Sequence, residues 1–383
     1  MFEEIYDYIK IRNDKDDKFL TAIMQQYNNN ARYSNYFIRC LLTPLFTYLR
    51  PNNKVQYIFF SNKYSDIILN LPKGSVCVIG GPKQINYCVK NKIPLISNMK
   101  YWEVLSKGFS NLLAPETLHI VHQKMLKEIS GYITEETVFI IDNDSMPMQR
   151  AIINVMKDLN VKILLIQDGL FQSRTPANFI HGWKSDRILC YDEHQKRILT
   201  DKINKKVKID VVGFYKAITY RKIPEESRRI CFLGQPWFKY GTDYQERYLE
   251  IVRLINKKMD GDIIYFKPHP WELDAPYIGE IENIYIGSMD EVLNDFDCFI
   301  SLTSTALYEA TIAGKLSIQI LDDKFECDDF QNYGYAYSID VEGIEKGNLN
   351  NLLKYEPINE HKQHENYLQD YIDYFRLKKY TLD

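Results

Sequence analysis

The hydrophobic pattern between residues 55 and 213 consists of short, nearly continuous apolar runs separated by stretches with helical spacing. Such runs are typical of strands buried on both faces of a parallel sheet. The predicted strands are 55–61, 75–81, 94–97, 138–142, 162–167, 187–192 and 208–213, and the predicted helices are roughly 63–70, 83–91, 100–130, 145–159 and 193–204. Regular alternation of the two elements predicts a doubly wound α/β domain.

The same α/β pattern begins again at residue 229, after a polar and charged stretch over 215–228 that we interpret as a linker. The predicted strands here are 229–233, 262–266, 283–286, 298–302, 316–321 and 335–339, with a helix over 243–258. We therefore expect an α/β protein with two Rossmann-like doubly wound domains facing a cleft, over 51–214 and 229–355. Two helical segments flank them: an N-terminal extension over 1–50, packed on the first domain, and a helix over 356–383, whose return to the first domain is left open.

Composition narrows the class of protein. The 383 residues suit two domains, and the net charge of −3 provides no basic field for nucleic acid, so no nucleic-acid partner is expected. The 7 cysteines include no CxxC pair, which is typical of reduced thiols in a cytosol. No secretory signal is recognisable, and the longest apolar run, 37–49, is too short to cross a bilayer. These features predict a cytoplasmic protein, with peripheral membrane contact and a homodimer left open.

Three groups of residues at predicted strand ends in the second domain point to a phosphate-bearing ligand. Lys267-Pro268-His269-Pro270 ends an apolar strand, and its prolines fix the imidazole at the carboxyl end, where open α/β sheets bind ligands. Thr303, Ser304 and Thr305 begin a helix, where hydroxyl and N–H groups suit an anion. Gly234-Gln235-Pro236 allows close backbone approach and adds an amide side chain. We predict that these residues bind the nucleotide.

Asp168 is the candidate base of the first domain. In Gln167-Asp168-Gly169 it follows an apolar strand, where a carboxylate can accept a proton, although Asp-Gly turns are also common without function. Asp142-Asn143-Asp144 could hold a divalent metal, but the two-sheet pattern argues against the architecture in which that motif is diagnostic. No metal site and no cofactor are therefore predicted. The chain also lacks the GxxxxGK[ST] and GxGxxG patterns, so an ATPase or a nicotinamide enzyme is not expected.

Taken together, Gln167-Asp168-Gly169, Gly234-Gln235-Pro236, Lys267-Pro268-His269-Pro270 and Ser301–Thr305 resemble the motifs of bacterial GT-B-type sialyltransferases and polysialyltransferases of lipooligosaccharide and capsule synthesis. The resemblance covers roughly residues 160–320. It implies an inverting glycosyltransferase that moves sialic acid, or a related nonulosonate or Kdo-type sugar, from a CMP-sugar to a surface glycan or lipid-linked glycan. It implies Asp168 as general base and His269 as the residue that assists the phosphate leaving group. Gln167 stands where the family has an acidic residue, which leaves the donor sugar open.

Other functions remain compatible with the sequence. One is a UDP-sugar-dependent GT-B glycosyltransferase or epimerase, in which Glu309 could lie near the ribose. Another is a polyol-phosphate transferase, whose base is expected to be a histidine in place of Gln167-Asp168. A third is a non-catalytic surface-polysaccharide assembly protein, against which the presence of Asp168 and His269 argues.

Overall fold

The computed structural model describes residues 49–97, 115–144, 147–173, 184–203, 207–216, 229–259, 263–358 and 367–378. Nearly all of the predicted N-terminal extension and of the linker lies outside these residues, as do 359–366 and 379–383. The chain divides into two compact units, which we call unit 1 (1–168, 176–216 and 366–383) and unit 2 (169–175 and 217–365).

Among the described residues, unit 1 contains one parallel sheet of seven strands in the order β3-β2-β1-β4-β5-β6-β7. The strands are β1 Tyr57–Phe60, β2 Val76–Gly80, β3 Leu95–Ser97, β4 Val138–Ile141, β5 Lys162–Ile166, β6 Arg187–Cys190 and β7 Lys208–Val211. β1, β2, β4 and β6 are buried along almost their whole length, as their continuous apolar runs predict. The chain leaves β1 and β4 in opposite directions along the sheet, so the switch point of unit 1 lies between them.

The described helices of unit 1 before residue 217 are α1 Ser65–Asn70, α2 Pro82–Asn91, α3 Pro115–Ser130, α4 Pro147–Asp158 and α5 Glu193–Lys202. Their starts follow local chemistry. α2 begins with a proline, whose missing N–H costs nothing in the first turn. α5 is capped by Asp192, whose carboxylate accepts the N–H of Gln195.

Unit 2 contains a second parallel sheet, of five strands among the described residues, in the order β12-β11-β10-β8-β9. These are β8 Ile230–Leu233, β9 Ile264–Lys267, β10 Cys298–Ser301, β11 Leu316–Leu321 and β12 Tyr337–Asp340. From β8 the chain continues to β9 on one side, and from β10 it continues to β11 on the other side. The switch point of this unit therefore lies at the carboxyl ends of β8 and β10. The helices are α6 Thr242–Lys258, α7 Met289–Asp295, α8 Ala306–Ile312, α9 Val341–Glu345 and α10 Leu349–Leu352.

The predicted strand at 283–286 is wrong. The segment makes a single isolated parallel bridge, between Ile284 and Phe266. Asn283 has φ 54°, a left-handed conformation that interrupts an extended chain. Ile286 is 70% exposed, so the run has no second face to bury. An apolar run of this length is therefore not sufficient to make a strand here.

The chain returns to unit 1 through its last described helix, α11 Tyr367–Arg376. Tyr371 donates its hydroxyl to the carbonyl of Gly213 at 2.8 Å, and Tyr374 donates to Asp210 at 2.6 Å. Phe375 is fully buried and contacts the ring of Tyr57, with 5.5 Å between ring centroids. α11 therefore completes the core of unit 1. No helix in the described part of the chain is long and apolar enough to cross a membrane.

Candidate functional site

Gln235 connects the loops that follow β8 and β10. Its side-chain N–H donates to the hydroxyl of Thr303 at 2.6 Å, and the backbone N–H of Thr303 donates to its Oε1 at 2.9 Å. These loops flank the switch point of unit 2, where doubly wound sheets bind ligands. The fold thus brings the Gly234-Gln235-Pro236 motif beside Thr303, and the Gln235 side chain holds the two loops together by hydrogen bonds.

Three residues of the β10 loop form a hydroxyl cluster and are partly exposed: Thr303, Ser304 and Thr305. Each hydroxyl oxygen accepts a hydrogen bond from the protein: Thr303 from Gln235, Ser304 from the N–H of Ala306 at 3.2 Å, and Thr305 from the N–H of Leu170 at 3.1 Å. A hydroxyl whose oxygen accepts still has its own proton to donate. The cluster can therefore offer hydroxyl donors to a ligand rich in acceptor oxygens.

His269 is held in one tautomer by its own turn. The backbone N–H of Trp271 donates to its Nδ1 at 3.1 Å, so Nδ1 carries no proton and Nε2–H is the donor of the neutral ring. Burial first, and then the charges of Lys267 and Lys239, lower the pKa of His269 to about 4. At neutral pH the ring is thus an uncharged hydrogen-bond donor, which can serve a phosphate oxygen.

Two lysines place positive charge near this imidazole. Lys267 is the last residue of β9, and Lys239 lies with its Nζ 4.4 Å from the centre of the Trp271 ring. Burial lowers the pKa of Lys239, an effect that Asp274 opposes. The other predicted residues of this region flank the turns: Pro236 precedes the 3₁₀ helix Trp237–Tyr240, and Pro270 is exposed.

Glu272 was missed by the sequence analysis. Its side chain is fully buried behind the histidine turn, accepting the N–H of His269 at 3.0 Å and the hydroxyl of Tyr277 at 2.6 Å. The hydroxyl of Tyr248 also bonds to it, and that hydroxyl accepts the N–H of Gln235 at 3.1 Å. Burial raises the pKa of Glu272 to about 7. Its position three residues after His269 is the signal that could have found it, since a carboxylate there can cap the turn.

Gly234 is explained by the same carboxylate. A Cβ at this position would overlap Oε2 of Glu272 and lie 2.9 Å from the Phe266 ring. The glycine is therefore required by close packing of a buried carboxylate, and the predicted close approach of the protein backbone to a ligand is not needed to account for it.

Asp168, in unit 1, is partly exposed, with 41% of its side chain accessible. It forms an ion pair with Lys63, and its backbone carbonyl accepts the hydroxyl of Tyr191 at 2.8 Å. Lys63 follows β1 and was missed by the sequence analysis, because only the strand order brings it beside the end of β5.

Asp142, which follows β4, is a second carboxyl of this edge. Among the residues that the structure describes, no group donates to its buried Oδ1. Burial raises its pKa, Lys63 opposes that rise and Asp168 adds to it. The carboxyl ends of β1, β4 and β5 thus carry two carboxyls in different environments with a lysine acting on both, an arrangement in which acid and base roles can separate.

Two further residues of the acidic motifs, Gln167 and Asp144, are buried and hydrogen-bonded. Gln167 is fully buried, where it donates to Gln195 at 2.6 Å and accepts the N–H of Tyr191 at 3.0 Å. Asp144 is also buried, and it accepts the N–H of Lys184 at 2.6 Å. In the described part of the chain, no group of three or more His, Cys, Asp and Glu side chains is arranged to hold a metal ion.

Comparison with known proteins supports the architecture. No protein-family profile matches the chain, and no curated protein matches it. Solved structures do. The UDP-GlcNAc 2-epimerase of Neisseria meningitidis, bound to UDP-GlcNAc, has a TM-score of 0.54 at 13% identity, covering 86% of this chain and 99% of its own. MnaA of S. aureus, in a structure with UDP, has a TM-score of 0.57 at 10% identity, and the match covers 86% of this chain and 98% of MnaA. The chain has the GT-B fold. At these identities the likeness shows the fold alone.

Proposed function

We propose that this protein is an enzyme that binds a nucleotide-activated sugar through unit 2 and breaks the bond between the anomeric carbon and the phosphate. The observation that carries the proposal is the neutral His269, whose Nε2–H is a donor beside Lys267 at the carboxyl end of β9, the strand next to β8. The hydroxyl cluster supplies further donors at the same carboxyl edge. Such a set suits a phosphate oxygen that gains negative charge as the bond breaks.

Each titratable group has one role in this proposal. Nε2–H of His269 donates to a phosphate oxygen of the leaving nucleotide, and the bond strengthens as charge develops there. Lys267 and Lys239 favour the same charge through space. In a glycosyltransferase Asp168 takes the proton of the acceptor hydroxyl, whose oxygen bonds to the anomeric carbon as the phosphate leaves. In an epimerase it takes the proton of the carbon next to the anomeric carbon, and loss of the phosphate leaves a C=C bond to which the phosphate and a proton then add back.

A UDP-sugar is the first candidate ligand. The fold is shared with an epimerase bound to UDP-GlcNAc and with MnaA bound to UDP. Two lysines around His269 also suit the charge of a diphosphate. On this reading the enzyme is a UDP-sugar-dependent glycosyltransferase or epimerase.

A CMP-sugar is the second candidate, favoured by the order of the four motifs that resemble the sialyltransferases. On this reading the reaction is an inverting transfer of a sialic acid or Kdo-type sugar to a bacterial surface glycan. Asp168 and His269 keep the same roles, so the two candidates differ in the nucleotide and the sugar.

A thermal-shift panel of CMP, CDP, UDP, UDP-GlcNAc and CMP-sialic acid separates the candidates, since a ligand at about 100 times its Kd stabilises the folded protein by about 2.7 kcal/mol. Stabilisation by UDP and its sugar but not by CMP supports the first candidate, and stabilisation by CMP alone supports the second. His269→Ala should abolish either shift. If no nucleotide stabilises the wild-type protein, the proposal is refuted.

A further inference from the structure

Glu272 links two of the three loops that carry the predicted nucleotide site. It accepts the N–H of His269 directly, and it reaches the N–H of Gln235 through the hydroxyl of Tyr248. The His269 loop follows β9 and the Gln235 loop follows β8. One buried carboxyl is therefore bonded directly to the β9 loop and, through Tyr248, to the β8 loop. A Cβ at residue 234 would overlap this carboxyl, which shows how closely the β8 loop packs on it.

The charge of this carboxyl works against the proposed ligand. Its surroundings are His269 and Lys267 on its own turn, Tyr248 of α6, and Tyr277 at the end of the same loop. A carboxylate behind an anion site repels a phosphate, and the repulsion is stronger in a buried site than in water. Protonation of Glu272 removes the repulsion and keeps its hydrogen bond with Tyr277, because the hydroxyl of Tyr277 can accept a hydrogen bond as readily as it donates one.

We propose that Glu272 is a positioning residue of the nucleotide site, which holds the β8 and β9 loops together and takes up a proton when a phosphate binds. The proposal rests on the proposed function, since it requires a nucleotide in unit 2. It gives Glu272 a chemical role that neither the motifs nor the comparisons assign. Burial raises its pKa to about 7, where proton uptake occurs at physiological pH.

Isothermal titration of the full chain with UDP and with CMP, in buffers of different ionisation enthalpy at about pH 7.5, counts the protons taken up. The variants are Glu272→Gln, which keeps the volume and the acceptor, and Glu272→Ala, which leaves the N–H of His269 unpaired. Glu282→Gln, at an exposed carboxyl of the same unit, is the matched control. The nucleotide phosphate itself titrates near pH 6, so wild type and variant are compared with the same ligand.

We expect net proton uptake by the wild-type protein and by Glu282→Gln, and its loss in Glu272→Gln with affinity kept or improved. Glu272→Ala should weaken binding about tenfold or more, because a buried donor loses its partner. Equal proton uptake by wild type and Glu272→Gln assigns the proton to another group and overturns the proposal, as does wild-type affinity in Glu272→Ala. In both cases the nucleotide still binds, which separates this failure from failure of the proposed function.

Discussion

Gly234→Ala tests the packing behind the predicted nucleotide site with the smallest perturbation available, one methyl group. Gly234 is buried and has no left-handed φ, so alanine is compatible with its backbone. The added Cβ would nevertheless overlap Oε2 of Glu272 and lie 2.9 Å from Cζ of Phe266. Neither neighbour is the free end of a flexible chain, since Glu272 is held by three hydrogen bonds and Phe266 stacks on Phe232.

The expected cost follows from these contacts. Overpacking of a buried site costs about 1–3 kcal/mol. Displacing the carboxylate also strains its bond to the N–H of His269, and an unpaired buried donor costs about 1–3 kcal/mol. The two costs overlap, so we expect a loss of about 2–4 kcal/mol, which lowers the Tm of a unit of this size by roughly 5–15 °C.

The assay is thermal unfolding followed by tryptophan fluorescence, with nucleotide affinity measured on the same samples. Gly279→Ala is the matched control, because a Cβ there meets nothing within 4 Å. The double variant Gly234→Ala/Glu272→Ala removes one of the two overlaps, so its cost should be smaller than the sum of the single costs. A Gly234→Ala variant as stable as Gly279→Ala, or strictly additive costs, would refute the packing argument.

Three further predictions follow from the same structure. Asp168→Ala should lose turnover with nucleotide affinity kept within about threefold; normal turnover would remove Asp168 as the base. In the folded protein the His269 ring should stay neutral to about pH 4, whereas an unfolded histidine protonates near 6.5, so stability should fall as pH falls through that window and should fall less in His269→Gln. An NMR titration of the ring that centres near 6.5 would contradict this. Tyr371→Phe leaves the carbonyl of Gly213 without its hydroxyl donor and should cost about 1–2 kcal/mol in urea unfolding, with nucleotide affinity unchanged; an unchanged midpoint would show that the bond contributes nothing.

The strands were predictable because burial on both faces leaves a plain apolar run, as in β4 and β10. The segment 283–286 shows the limit of that signal: its apolar residues resemble a strand, but Asn283 turns the chain and Ile286 faces solvent. The histidine turn was found because two prolines around a titratable ring are unusual locally.

The environments of the site residues were not predictable. The effect of Lys63 on Asp142 and Asp168 depends on strand order, which places β1 beside β4 and β4 beside β5 across long sequence separations. The burial of Gln167 between β5 and α5 likewise arises from tertiary packing. A sequence pattern can name a carboxylate, but its protonation depends on neighbours that only the fold supplies.

The return of α11 to unit 1 bears on how the chain folds during synthesis. Unit 2 is almost entirely one continuous segment, 217–365, so its core can form as soon as that segment leaves the ribosome. Unit 1 lacks the buried side chains of Tyr371 and Phe375 until α11 has been synthesised. Most of unit 1 is therefore translated first yet completed last, and for that interval the face that receives α11, including the ring of Tyr57, is an exposed apolar surface of the nascent chain to which a chaperone can bind.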